Sequence, residues 1–153
     1  VKGLGAKEAA LHILDALTAF FVFSALTVSF HEYVHSMVAR AFGGSATVVY
    51  YLFSGYTRVE GAFTPLQLAL IALSGGLGCF LLFLYMFLWW LEDPSDKYTR
   101  VPCLYFMVNQ FVYGWLELAG LIYPLLIPFP IACLVATVVA MGATLTYMFR
   151  FWD

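Results

Sequence analysis

An all-α membrane protein of about four transmembrane helices, with a short membrane-surface β-hairpin between the first and second, is the architecture this sequence predicts. Three observations carry it. Of 153 residues, 63% are hydrophobic and 10% charged, against roughly 25% charged in an ordinary soluble domain. Four apolar stretches are each long enough to cross a hydrocarbon core of about 30 Å at about 1.5 Å per residue. Between the first two lies a segment of strand-like composition. The length suits a single integral-membrane domain over residues 1–153. Seven Lys/Arg against nine Asp/Glu give a net charge of −2. That leaves no basic patch for nucleic acid and makes the lipid bilayer the expected surroundings.

The first span covers 16–41, and its opening stretch from Ala16 to Phe30 is uncharged. Ahead of it Lys7, Glu8, His12 and Asp15 recur at three- to four-residue spacing, one polar stripe on the turns leading in. After it, Ala46 to Leu52 (ATVVYYL) is β-branched and aromatic, Ser54-Gly55 is a turn signal, and Tyr56 to Glu60 returns as a second strand. This hairpin is either an amphipathic linker or an edge strand open to a partner. The second span, 66–91, is uncharged and contains Leu73-Ser74-Gly75-Gly76-Leu77-Gly78. Small residues there allow close helix packing, or a notch at Gly75 and Gly76 that admits substrate backbone. A polar loop at 92–97 leads to the third span, 101–123, whose one acid is Glu117. Pro124, Pro128 and Pro130 mark the turn into the uncharged fourth span, 131–149. Cys79, Cys103 and Cys133 fall in three different spans and read as buried small hydrophobes.

Inside the first span stands His31-Glu32-Tyr33-Val34-His35. Ionisable groups at membrane depth are costly and call for a function. Positions i and i+4 share a helix face, so both imidazoles can bind one metal ion. Glu32 is then close enough to take a proton from a metal-activated water. A catalytic zinc site normally has three protein ligands, and His12, 19 residues before His31, is about 28 Å away along one helix. Glu117 is the alternative. His31 and Glu117 lie 15 and 16 residues into their spans, about 22–24 Å below the same membrane face if the two run parallel. Two His and one carboxylate are a known catalytic zinc set.

In this order the residues resemble the site-2 protease family of intramembrane zinc metalloproteases. His31 to Gly44 (HEYVHSMVARAFGG) is similar to the family's HExxH helix with its following Ala-Arg and Gly pair. The hairpin falls where the family has a membrane-associated β-loop. Leu73 to Gly78 falls where it usually has a Gly-Pro-containing helix start. Asn109 is followed eight positions later by Glu117, itself preceded by Leu116, much as the family's Asn precedes its Leu-Asp. Four positions depart: Glu117 stands for Asp, Val112 for Pro, Leu118 for Gly, and Gly76 for the Pro of the second motif. The resemblance is therefore to a divergent member.

The resemblance implies hydrolysis of peptide bonds in a transmembrane protein or peptide substrate. One catalytic Zn2+ would be held by His31, His35 and Glu117. Glu32 would deprotonate the bound water and return the proton to the leaving amine. Asn109 would hydrogen-bond the substrate backbone or the developing oxyanion, or else join two helices. The hairpin would pair with an unwound substrate strand. The alternative is a non-catalytic membrane metal-binding protein: a carrier, a sensor or a degenerate protease. It needs the two His but has no use for the Glu beside them.

Overall fold

A computed structural model describes residues 6–51, 54–91, 97–124 and 127–151. Over these residues the chain is mostly helical, with four helices and one two-stranded sheet. Helix α1 runs Ala6–Ala41, so the polar stripe at Lys7, Glu8, His12 and Asp15 continues the helix that carries the HExxH motif. Its end is set by glycine. Gly43 has φ 83°, the Gly43 N–H donates to Arg40 O at 2.9 Å, and the Gly44 N–H donates to Ala39 O at 3.1 Å. These are the two bonds of a Schellman turn, whose left-handed residue is cheap only for glycine.

The chain then forms β1 (Ser45–Tyr50) and β2 (Gly55–Glu60), antiparallel, with Ser45 opposite Glu60 and Tyr50 opposite Gly55. The Tyr51 N–H closes the hairpin on Ser54 O at 2.7 Å. The expected hairpin is present, and its tip residues, Leu52 and Phe53, lie outside the described residues. It rests along the second half of α1, where Arg40 Nη2 donates to Ala46 O at 3.2 Å and the Tyr50 hydroxyl donates to Ser29 O at 3.3 Å. On β2 the even residues face out, while Gly55, Thr57 and Val59 are half-buried, the alternation of a strand with one covered face.

Helix α2 (Pro65–Leu91) begins with a reciprocal cap. The Thr64 N–H donates to Gln67 Oε1 at 2.8 Å, and the Gln67 N–H donates to Thr64 Oγ1 at 3.3 Å. Pro65 takes the first helical position, where no N–H is needed. The polar loop read at 92–97 lies outside the described residues up to 96. Helix α3 is Lys97–Ile122 and α4 is Phe129–Phe151.

Helices α1, α2 and α3 pack against one another, α4 packs on α3, and the hairpin packs on α1. Phe23, Cys79, Phe83, Cys103 and Phe106 form the core that joins the first three helices, with Phe83 stacked on Phe106 at 5.6 Å. Cys79 and Cys103 are buried free thiols and Cys133 is partly buried, as small hydrophobes should be. Gly76 meets Gly114 where α2 crosses α3. A Cβ on Gly76 would lie 2.5 Å from Gly114 Cα and 2.6 Å from Gln110 O. On α4 the buried residues Ala132, Ala136, Ala140 and Thr144 form one small-residue stripe at i+4 spacing.

Among the described residues, three helices are long and apolar enough to cross a membrane: Ala10–Ala41, Pro65–Leu91 and Phe129–Phe151. Helix α3 has the length but not the composition, since Lys97, Arg100, Asn109, Gln110 and Glu117 interrupt it. The sequence reading of four spans is therefore matched by four helices, three of which meet the apolar criterion.

Candidate metal centre

The i, i+4 spacing of His31 and His35 places the two imidazoles on one face of α1, with ring centroids 4.6 Å apart. Both are buried. Glu117 arrives from α3, 86 residues away in sequence. Its Oε1 lies 3.3 Å and its Oε2 3.2 Å from His31 Nε2, and Oε2 lies 3.6 Å from His35 Nε2. The two Nε2 atoms are 2.9 Å apart. His31, His35 and Glu117 thus form a group able to hold a metal ion, with their ligand atoms all within 4.8 Å of one another. It brings together the three residues singled out in the sequence by spacing and depth. His12, near the start of α1, takes no part in it.

The outward side of each ring is already committed. His31 Nδ1 lies 2.8 Å from Gln110 Oε1, and His35 Nδ1 lies 2.5 Å from Ile71 O. Both partners are oxygens that only accept, so each Nδ1 carries the hydrogen and each Nε2 presents a lone pair. Gln110 is held in this sense by donating Nε2–H to Asn109 Oδ1 at 3.0 Å. Ser74 Oγ, 3.3 Å from His35 Nδ1, also donates to Ile71 O at 2.7 Å. Two lone pairs and a carboxylate therefore converge, and Glu117 Oε2 is buried with no hydrogen-bond donor among the described residues. Such a cluster is repulsive when empty of positive charge. A cation at its centre satisfies all three atoms. The residues fit a metal ion.

Glycine makes room for it. A Cβ on Gly75 would fall on His35 Nε2 and within 2.8 Å of His31 Nε2, so any side chain there would occupy the metal's place. The neighbouring Gly76 faces α3 at the Gly114 crossing instead.

Glu32 is turned the other way, toward the hairpin. Thr57 on β2 donates through Oγ1 to Glu32 Oε2 at 2.7 Å, with Glu32 O a second acceptor at 3.0 Å. The turn end of the hairpin comes so close that a Cβ on Gly55 would stand 2.9 Å from Glu32 Cγ. Glu32, His35 and Glu117 all line a cavity of about 470 Å³, whose rim on one side is β2 at Gly55, Thr57 and Val59. Asn109 borders a separate, smaller cavity with His31. The sequence reading missed Gln110 and Tyr113. Gln110 gave no signal, because an amide's partner on another helix follows no spacing rule. Tyr113 had one: it lies one turn from Glu117 on the same helix face.

Comparison with protein-family models, with curated proteins and with solved structures returned no match to this chain.

Proposed function

We propose that this chain is a multi-pass integral-membrane zinc metalloprotease that cleaves peptide bonds of membrane-embedded substrates, a divergent relative of the site-2 proteases. The observation that carries the reading is the convergence of His31 Nε2, His35 Nε2 and Glu117 Oε2 on one point, with Glu32 lining the same cavity as His35 and Glu117. Ligand atoms about 2.0–2.1 Å from a tetrahedral zinc stand about 3.3 Å apart. The three separations here, 2.9, 3.2 and 3.6 Å, straddle that value. A zinc ion held there would acidify a water and polarise a carbonyl.

The rest of the chemistry belongs to the chain. Glu32 takes a proton from the attacking water and later hands it to the leaving amine, while Thr57 keeps the carboxylate aimed along the cavity. A carrier or sensor would gain nothing from a buried acid so positioned. In the antiparallel register, closed by the Tyr51–Ser54 bond, the backbone groups of Gly55, Thr57 and Val59 point away from β1. The same three residues line the cavity, so an extended substrate strand can add to β2 with its carbonyls beside Glu32.

Helix α3 fits this picture as a fourth span. Its 26 residues reach about 39 Å. The polar side chains of its interior, Asn109, Gln110 and Glu117, all border the two cavities or contact the histidines. Polar groups that face the bundle interior are the ones a membrane tolerates.

The test is metal analysis and cleavage on the chain purified in detergent. One zinc per chain and cleavage of transmembrane peptides are expected, with occupancy lost in Glu117→Ala. Stoichiometric metal without cleavage across a broad peptide panel would favour a carrier. Unchanged occupancy in Glu117→Ala would show that another group completes the site.

A further inference from the structure

The site is approached from two sides. Besides the 470 Å³ cavity, a second of about 260 Å³ reaches it past Ser24, Asn109 and Thr137. Four residues line both cavities: Glu32, Gly55, Tyr113 and Phe129. The metal-binding group divides in the same way, with His31 bordering the smaller cavity and His35 and Glu117 the larger. A peptide passing Glu32 from one cavity into the other must present its attacked carbonyl at this waist. Glu32 and Tyr113 are the two waist residues with polar side chains, and Glu32 is occupied with proton transfer.

Tyr113 is held by its ring. The ring centroid is 5.5 Å from that of His31 and 6.2 Å from that of Phe129, perpendicular to the latter. Its hydroxyl lies toward the Glu117 carboxylate and the Cys133 thiol, within reach of both. A phenol in such an enclosed place ordinarily finds a partner. Here the partners in reach are the Glu117 carboxylate and the Cys133 thiol. The donor thus stands beside the metal-binding group and at the waist, where a third oxygen can take it once Glu117 is engaged by an ion.

We propose that Tyr113 is a catalytic residue whose hydroxyl donates a hydrogen bond to the oxygen of the scissile carbonyl as negative charge builds on it. The inference rests on the proteolytic reading above. In the step concerned, the water oxygen bonds to the carbonyl carbon, one water proton passes to Glu32, and the carbonyl π pair moves onto oxygen, where the Tyr113 O–H meets it. Collapse re-forms the C=O bond and breaks the C–N bond, and the proton on Glu32 goes to the departing nitrogen. Tyr113 keeps its own proton throughout. Asn109, one turn away, borders the smaller cavity alone and has its Oδ1 engaged by Gln110.

The variant Tyr113→Phe keeps the ring contacts to His31 and Phe129 and removes the donor. We expect kcat to fall about 10²–10³-fold, the loss typical of one oxyanion donor, with KM and zinc affinity unchanged. Affinity for a phosphinic peptide, whose tetrahedral anionic centre mimics the charged oxygen, should fall by a similar factor. Wild-type kcat and phosphinic affinity in Tyr113→Phe overturn the proposal and leave the protease reading intact. A drop in zinc affinity, with kcat restored at saturating zinc, also overturns it and makes the hydroxyl a support for Glu117. A wild-type chain that neither cleaves peptides nor binds the phosphinic peptide overturns both readings together.

Discussion

At the scale of single residues, metal binding by His31, His35 and Glu117 would depend as much on the partners behind these side chains as on the side chains themselves. Gln110 and Ile71 O fix the hydrogens on Nδ1 and so aim both Nε2 lone pairs inward. Removing such a support typically costs 10–100-fold in metal affinity. Gln110→Leu should therefore weaken zinc binding by about that factor in a competition titration, and Gln110→Glu, which keeps an acceptor, should recover most of it. Gly75→Ala should weaken binding by at least about tenfold, because its methyl group would stand where the ion must sit. Equal affinities in these variants would show that the tautomers and the space are set by something else. The ligands were legible in the sequence because one helix fixes His31 against His35, and counting into the spans fixes the depth of Glu117. Gln110 was not, because its bond to His31 crosses 79 residues and depends on how α3 is rotated about its axis. No local pattern encodes that rotation.

At the scale of elements, the hairpin is the part that reaches Glu32 and rims the larger cavity. Thr57 is its one side-chain bond to the Glu32 carboxylate among the described residues. Thr57→Val keeps the β-branched shape and deletes the donor. About a tenfold lower kcat is expected, the scale of one charge-assisted hydrogen bond at roughly 1.5–3 kcal/mol only partly lost, with zinc content as in the wild type. Unchanged turnover would make the hairpin a linker. Its strands were legible from β-branched and aromatic runs around Ser54-Gly55, and its start from the Gly43-Gly44 pair that ends α1. Which of its faces meets Glu32 was not, since strand alternation leaves two orientations and the contact with α1 chooses between them. Likewise, Gly75 and Gly76 looked alike in sequence. The helix period separates them, sending one toward the histidines and the other into the α2–α3 crossing.

At the scale of the whole molecule, scarcity of charge organises the fold. The outer surfaces carry large apolar residues such as Phe21, Leu81, Trp89, Val138 and Phe149, while His31, Glu32 and His35 are buried together and Glu117 closes on them. Four helices were legible from four apolar stretches. The mixed character of α3 follows from its central place, in contact with α1, α2 and α4: a helix that carries a polar site cannot also be uniformly apolar. Because an ion held by His31, His35 and Glu117 would join α1 to α3, its removal should loosen the bundle. Chelation is expected to lower the thermal midpoint in detergent, with about 2.7 kcal/mol of stabilisation at stake when free zinc exceeds Kd a hundredfold. An unchanged midpoint would mean that the helices hold the site without help from the metal. The central claim, that Glu32 is the base of a metal-assisted peptide hydrolysis, meets its most direct test in Glu32→Gln loaded with one equivalent of zinc and assayed on a transmembrane peptide that the wild type cleaves. Wild-type zinc content is expected, with cleavage reduced by about 10³-fold or more, within the 10²–10⁴-fold range of general acid–base catalysis. Cleavage at the wild-type rate by the zinc-loaded variant would contradict the claim.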